Sequence, residues 1–192
     1  MNSFYNEEEL RMLGLASYGE NVLISRNAKI YGANNISIGN NVRVDDFCIL
    51  SGKIKIGNNV HIAAGVYIFA GESGVFLNDF SGISSRTAIY AMSDDYTGKY
   101  MTNPTIPDRF RNVSGGFVYI GRHSLIGTGC TILPGVKIGD GASIGAMSLV
   151  NKDVEEYTMN VGIPCKKIKD RSKEMLEYEK KFLLERQESR NL

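Results

Sequence analysis

The sequence predicts an all-β solenoid of short parallel strands, and three observations carry that expectation. Aliphatic residues recur every six positions at Ile120, Ile126, Ile132, Ile138, Ile144 and Val150. Four residues after most of them stands a small or β-branched side chain, as at Ser124, Cys130, Val136, Ala142, Ser148 and Val154. Glycine often follows the aliphatic position directly, as at Gly39, Gly57, Gly121, Gly127, Gly139 and Gly145. An amphipathic helix needs a period of about 3.6 residues, and an exposed strand needs strict alternation. A period of six satisfies neither. It fits a stack of short strands, each too small to bury its face alone and each covered by the next. The large residue fills the axis, and the small one shares that interior without overpacking it. Glycines and Asn-Asn or Asp-Gly pairs fall between strands, where the chain must turn.

The elements follow in order. Residues 1–19 are expected to form a helical cap, with Leu10 and Leu13 ahead of Gly14, because an uncovered end coil would expose strand edges. Residues 20–168 carry the coils. The first half repeats the pattern in pieces: Ile24, Ile30 and Ile36; Ile38 and Val44; Ile56, Ile62 and Ile68; Leu77, Ile83 and Ile89. Residues 93–117 break the hexad and hold Pro104, Pro107, Asp108, Arg109 and Arg111, so they read as a protruding loop, and loops of that length are usually functional or disordered. The hexads end after Pro164. Residues 169–192 read as a C-terminal α-helix, charged over 170–188, with Ser172 as a cap and Met175, Leu176, Phe182 and Leu183 on one face.

Composition narrows the function classes. With 22% charged residues and a net charge of +1, nothing electrostatic favours nucleic acid or an anionic membrane as partner. No apolar run approaches the ~20 residues that cross a bilayer. The three cysteines, Cys48, Cys130 and Cys165, have no paired spacing, which argues against disulfides and fits a reducing compartment. Cys48 and Cys130 fall on small inward positions of their hexads. Only two histidines occur, too few for a three-histidine zinc centre, so no metal is expected. The first residues are acidic where a signal peptide would be basic and then apolar, and the expected location is the cytoplasm.

On these hexads the chain resembles the hexapeptide-repeat acyltransferases over roughly residues 20 to 168. The resemblance implies 18-residue, three-sided coils wound as a left-handed parallel β-helix, assembly into homotrimers, and acetyl-CoA as acyl donor. In the family the coenzyme lies along turns that stand here as Ile126-Gly127-Thr128 and Ile144-Gly145-Ala146, followed by basic residues. Gly127, Thr128, Ala146, Lys152, Pro164, Lys166 and Lys169 are therefore the candidate cofactor contacts. The lysines suit the nucleotide phosphates as point charges, less directional than the arginines that family members often carry at Lys166 and Lys169.

The galactoside and maltose acetyltransferases of this family place a histidine after the last hexad before the loop, where it deprotonates a sugar hydroxyl. Counting through Leu77, Ile83 and Ile89, that position falls on Asp94, in Ser93-Asp94-Asp95-Tyr96. A hydroxyl needs a base with pKa near neutrality. An amine needs to lose only one proton, and a carboxylate can attract the ammonium, orient it and hold the charge that develops on nitrogen. Asp94 and Asp95 are the candidate catalytic pair, and their adjacency favours a raised pKa on one of them. His61, just before Ile62-Ala63, is the alternative catalytic residue, whereas His123 reads as a solvent-facing turn residue. Asp45, Asp46 and Ala63 are candidate substrate contacts, with a solvated turn as the other reading of the two aspartates. The strings Asn41-Val42-Arg43-Val44-Asp45-Asp46-Phe47-Cys48 and Ser93 to Thr105 resemble N-acetyltransferases of nucleotide-linked amino-deoxy sugars, of the dTDP-4-amino-4,6-dideoxyglucose type, in O-antigen synthesis. O-acetylation of a sugar hydroxyl is the alternative within the class, and a non-catalytic β-helix scaffold is the alternative outside it.

Overall fold

The computed structural model describes residues 3–190. Each hexad is one face of a three-sided coil, and equivalent hexads stack as parallel strands. On the first face Val44 lies on Ile62, Ile62 on Ile83, Ile83 on Ile126, and Ile126 on Ile144. The second face stacks Leu50, Ile68, Ile89, Ile132 and Val150. The third stacks Ile38, Ile56, Leu77, Ile120 and Ile138. All of these side chains are buried, together with Val42, Cys48, Val60, Val66, Cys130, Val136 and Ala142. Each fully buried Ile contributes about 1.5–3 kcal/mol of transfer free energy, so the six-residue period is the main source of the fold's stability.

Coil length shows where the repeat is interrupted. The step from Ile126 to Ile144 takes the 18 residues of a regular coil, and the step from Ile83 to Ile126 takes 43. The difference is the length of the segment 93–117. That segment leaves the coil through an antiparallel pair, Met92–Ser93 against Ser114–Gly115, and turns back on itself where Met101 bridges Arg111. Smaller insertions are absorbed by a 3-10 turn at Ala33–Asn35 and by a bulge around Gly71 in strand Tyr67–Leu77. Glycine is obligatory where successive coils touch through backbone. A Cβ on Gly127 would sit 2.6 Å from the Ala146 nitrogen.

Both ends differ in detail from expectation. Helix α1 (Glu7–Met12) begins with a capping box between Asn6 and Glu9, and Leu10 plugs the first coil. The cap is shorter than 1–19, because Ser17–Tyr18 already pairs with Ser37–Ile38 as a strand. At the other end Lys166–Asp170 is a strand, antiparallel to Thr158–Val161, so the helical region does not start at 169. Helix α2 (Met175–Arg190) starts after it, with the Ser172 hydroxyl accepting the Glu174 N–H at 3.2 Å. Once the parallel stack stops, an antiparallel return satisfies the donors of its last rung.

The outer surfaces of the three faces are unlike. The first shows Arg43 and His61 with Leu23 and Leu125, and the third shows Ser37, Lys55 and Lys137 with Phe76 and Tyr119. The second is the most apolar on its outer side, with Lys29, Ser51 and Thr131 among its residues: Ile49, Phe69, Leu133 and Leu149 are half-buried, Tyr67 and Tyr90 are 38% and 36% exposed, and Phe69 stacks on Tyr90 at 5.3 Å.

Candidate active site

The strand Ala88–Tyr90 of the second face ends at the root of the protruding loop, and there a cleft of about 650 Å³ opens. Its walls are Tyr90, Met92, Tyr96, Leu133 and Pro134, with Asp94 among them. Ser93 and Thr131 complete the lining, and the Ser93 hydroxyl donates to the Asp94 carbonyl at 3.1 Å. One Asp94 carboxylate oxygen accepts a long hydrogen bond, 3.4 Å, from the Asn103 N–H. Asp94 is half-buried, so its carboxylate faces a mainly apolar cleft with spare acceptor capacity.

Asp95 is placed differently. Its carboxylate accepts from the Thr97 hydroxyl at 2.8 Å and from the N–H groups of Thr97, Lys99 and Tyr100. These bonds, the Thr97 hydroxyl foremost, hold its carboxyl below the usual range. The raised pKa expected of the pair is therefore not found at Asp95, which orders the loop entrance and is absent from the cleft wall.

The remaining sugar-site candidates lie on the edge where the first face turns toward the second. Asp45, Ala63, Ser84, Gly127 and Gly145 each follow the last strand residue of their coil and form one column: Asp45 N–H donates to Ile62 O, Ala63 N–H to Ile83 O, Ser84 N–H to Ile126 O. His61 Nε2 is 2.8 Å from Asp45, whose other carboxylate oxygen takes Arg43 Nε at 2.6 Å. Burial pushes Asp45 up, but the hydrogen bonds from Arg43 and His61 outweigh it and leave the carboxyl lowered. Asp46 is bound by the Ser25 hydroxyl and by Asn27. Both aspartates thus link their turn to the neighbouring coil, Asp45 to His61 and Asp46 to Ser25 and Asn27. Ser84 stands in this column between Ala63 and Gly127, a position not singled out from the sequence.

The coenzyme candidates are spread over the later coils and the terminal hairpin. Thr128 donates its hydroxyl to Ser85 O at 2.6 Å, and Ala146 is exposed one coil on. Lys166 pairs with Val161 and Lys169 with Met159 in the terminal hairpin, while exposed Pro164 sits in its turn. Lys152 is exposed after strand Leu149–Val150. By contrast Lys167 is bound to Asp170 and Glu155.

His123 is not solvent-facing. Its ring stacks on Phe80 at 4.9 Å and meets Glu179 of α2 at 2.6 Å, and Arg122 joins the same carboxylate. Burial, with the Arg122 and Arg171 guanidinium groups, lowers its pKa. A neutral ring that donates its Nε2 proton satisfies this contact, and Phe182 completes it against Phe80 at 6.1 Å.

Comparison with known proteins gives these sites a setting. Residues 35–70 and 117–152 match the bacterial transferase hexapeptide (six repeats) family. The dTDP-4-amino-4,6-dideoxy-D-glucose acyltransferase of Escherichia coli is 47% identical over 94% of this chain and 95% of its own length. The chain belongs to the hexapeptide-repeat acyltransferases. The left-handed β-helix and the acyltransferase class expected from the resemblance therefore hold. Among solved structures, AntD, an N-acyltransferase from Bacillus cereus in complex with dTDP and 3-hydroxybutyryl-CoA, superposes with a TM-score of 0.95 at 48% identity, covering 97% of this chain and 100% of that one. The S84C variant of AntD was solved with dTDP-4-amino-4,6-dideoxyglucose and coenzyme A, and the D94N variant with dTDP and coenzyme A. The galactoside O-acetyltransferase of Lactococcus lactis is more distant, 32% identical over 67% of this chain.

Proposed function

We propose that this acyltransferase moves an acetyl group from acetyl-CoA to the 4-amine of a dTDP-4-amino-4,6-dideoxy sugar, as a cytoplasmic homotrimer serving bacterial surface polysaccharide (O-antigen) synthesis. The observation that carries this reading is the carboxylate of Asp94, facing an apolar cleft where related O-acetyltransferases place a histidine. An ammonium group entering the cleft finds one negative charge and little water, which favours its capture and orientation. Once it has lost a proton, nitrogen attacks the thioester carbonyl, and the thiolate of coenzyme A leaves. Asp94 then faces the positive charge that appears on nitrogen and can take up the proton released as the amide forms. This chain has an aspartate and a serine at the two numbers substituted in AntD, which supports Asp94 and Ser84 as site residues.

The trimer has its own support. A parallel sheet is normally covered on both faces. The second face is apolar inside and the most apolar of the three outside, so a neighbouring copy is its natural cover. Ser84 precedes the strand Ala88–Tyr90 and Asp94 follows it, so one protomer separates them along a full face. Packing a neighbour's edge against the cleft brings the two kinds of residue into one site.

The direct test is a panel of amino- and hydroxy-nucleotide sugars with acetyl-CoA, followed by thiol release. Release only with the 4-amino sugars is the expected result. Release with hydroxyl acceptors alone would overturn the reading and turn attention to His61, whose ring Asp45 already orients. The coenzyme wall makes a separate prediction. Lys169→Ala or Lys166→Ala is expected to weaken acetyl-CoA binding roughly 3- to 30-fold, the range for one charge-assisted contact. The loss should shrink with dephospho-CoA where the lysine meets the 3′-phosphate. Equal losses with both coenzymes would place that lysine elsewhere.

A further inference from the structure

The corner between the first and second faces carries an inference that rests on the proposed dTDP-linked acceptor and goes beyond it. Successive coils turn there through residues of positive φ, which stack as Phe47, Gly65, Arg86, Gly129 and Met147. The Gly65 N–H donates to Asp46 O at 2.9 Å and the Arg86 N–H to Ala64 O at 3.1 Å, and Gly129 and Met147 continue the ladder on Ser85 O and Thr128 O. A left-handed backbone is unfavourable for a residue with a Cβ. Gly65 and Gly129 avoid that strain, whereas Phe47, Arg86 and Met147 carry it at φ values of 61°, 60° and 59°.

Bulky residues in the same backbone state on the opposite corner are covered by the chain itself. Phe80 and His123 meet Phe182 and Glu179 of α2, and the Lys173 ammonium lies 4.4 Å from the Tyr157 ring. Phe47 is 66% exposed and Arg86 is exposed too. Arg122 of the covered corner pairs with Asp79 and Glu179, whereas Arg86 has no carboxylate partner among the described residues. Between Phe47 and Arg86, two coil spacings or about 10 Å apart, Gly65 keeps a slot open. A Cβ on Gly65 would come no nearer than 3.7 Å to Arg86 Cγ. The matching place at Gly129 is filled, since a Cβ there would lie 2.5 Å from the Met147 sulfur.

The slot has a polarity. Asp45 and Asp46 precede Phe47, so that end disfavours a phosphate, and the unpaired guanidinium at the other end attracts one. Ser84 stands two residues before Arg86, and the coenzyme candidates occupy later coils. An acceptor acylated beside Ser84 therefore has the Phe47 side of the column free for its nucleotide. We infer that Phe47, Gly65 and Arg86 form that nucleotide subsite: the pyrimidine base stacks on the Phe47 ring over Gly65, and the Arg86 guanidinium takes the diphosphate.

The experiment titrates dTDP and acetyl-CoA into wild type, Phe47→Asn and Arg86→Asn. Asparagine tolerates the left-handed backbone, as Asn41 and Asn59 do in this chain, so melting temperature and assembly should hold. Each variant is expected to bind dTDP roughly 10- to 30-fold more weakly, with acetyl-CoA binding unchanged. The Arg86→Asn loss should shrink at about 1 M salt, where a charge contact is screened, and the Phe47→Asn loss should not. Acceptor KM should rise with kcat largely kept. Unchanged dTDP affinity in either variant overturns the inference, as does an Arg86→Asn loss that ignores salt. Weakened acetyl-CoA binding would assign the corner to the coenzyme, and dissociation in light scattering would assign it to a second copy of the chain; either overturns the inference equally. Failure of wild type to bind dTDP would instead sink the acceptor assignment itself.

Discussion

Asp94→Asn is expected to keep the fold and the coenzyme wall while lowering turnover roughly 10²–10⁴-fold, the range for losing a positioned acid–base group. The substitution preserves shape but removes the charge that attracts an ammonium and the site that accepts a proton. Among the described residues its carboxylate accepts one hydrogen bond, the long one from Asn103, so an amide can occupy the position without unfolding the loop. An amine can also lose its proton to water. Activity of the variant should therefore recover in part as pH rises toward the pKa of the acceptor amine, whereas wild type should already be near its plateau. A hydroxyl acceptor, with a pKa far above that range, allows no such recovery. His61→Asn is expected to be milder and to act on acceptor KM more than on kcat, because the ring is exposed on the first face and engaged by Asp45. pH–rate profiles of the three proteins decide the matter. A near-normal Asp94→Asn beside an inactive His61→Asn would move the base to the histidine.

The division between what sequence could and could not say follows from what fixes each residue. Ile120 to Val150 are legible because a solenoid repeats one local environment, so a single pattern reports six buried positions. The same logic explains Gly127, whose Cβ has no space against the next coil. The insertions at 33–35 and near Gly71 show in the sequence as jumps of the hexad from Ile36 to Ile38 and from Ile68 to Leu77. The 3-10 turn and the bulge that absorb them are set by the stacking of the neighbouring coils. His123 was misread because its turn is covered by α2, more than fifty residues further along the chain, and only tertiary contact brings Glu179 and Phe80 to it. Phe80 and His123 both take positive φ without being glycine and stack on each other at 4.9 Å, a support that no local propensity encodes. Ser84 gave no signal of its own, because Ser25 and Asp45 are polar residues in the same column. Asp94 emerged from counting hexads up to the loop, whereas the role of Asp95 needed the loop's own hydrogen bonds.

Phe69→Glu should dissolve the assembly without unfolding the coil. Phe69 lies on the outer side of the second face, stacked on Tyr90 and near Tyr67, with Ala70 behind it in the interior. In a monomer the new carboxylate stays in water and costs the coil little beyond the lost ring contact. In a trimer closed through this face, three unpaired carboxylates would be buried, each at a cost of several kcal/mol. Light scattering at micromolar concentration is therefore expected to read a trimer for wild type and a monomer for the variant, with similar melting of the β-signal. Turnover should fall by about 100-fold or more, because the cleft at Asp94 would lose the neighbour that closes it and the alignment of amine and thioester with it. Lys55→Glu makes the matched control. Lys55 points outward on the third face, 5.1 Å from the Phe76 ring, so the reversal costs that contact while the trimer and its activity should survive. A trimeric, active Phe69→Glu would show that the apolar second face is not the interface, and the closure of the site would then have to come from the loop 93–117 of the same chain.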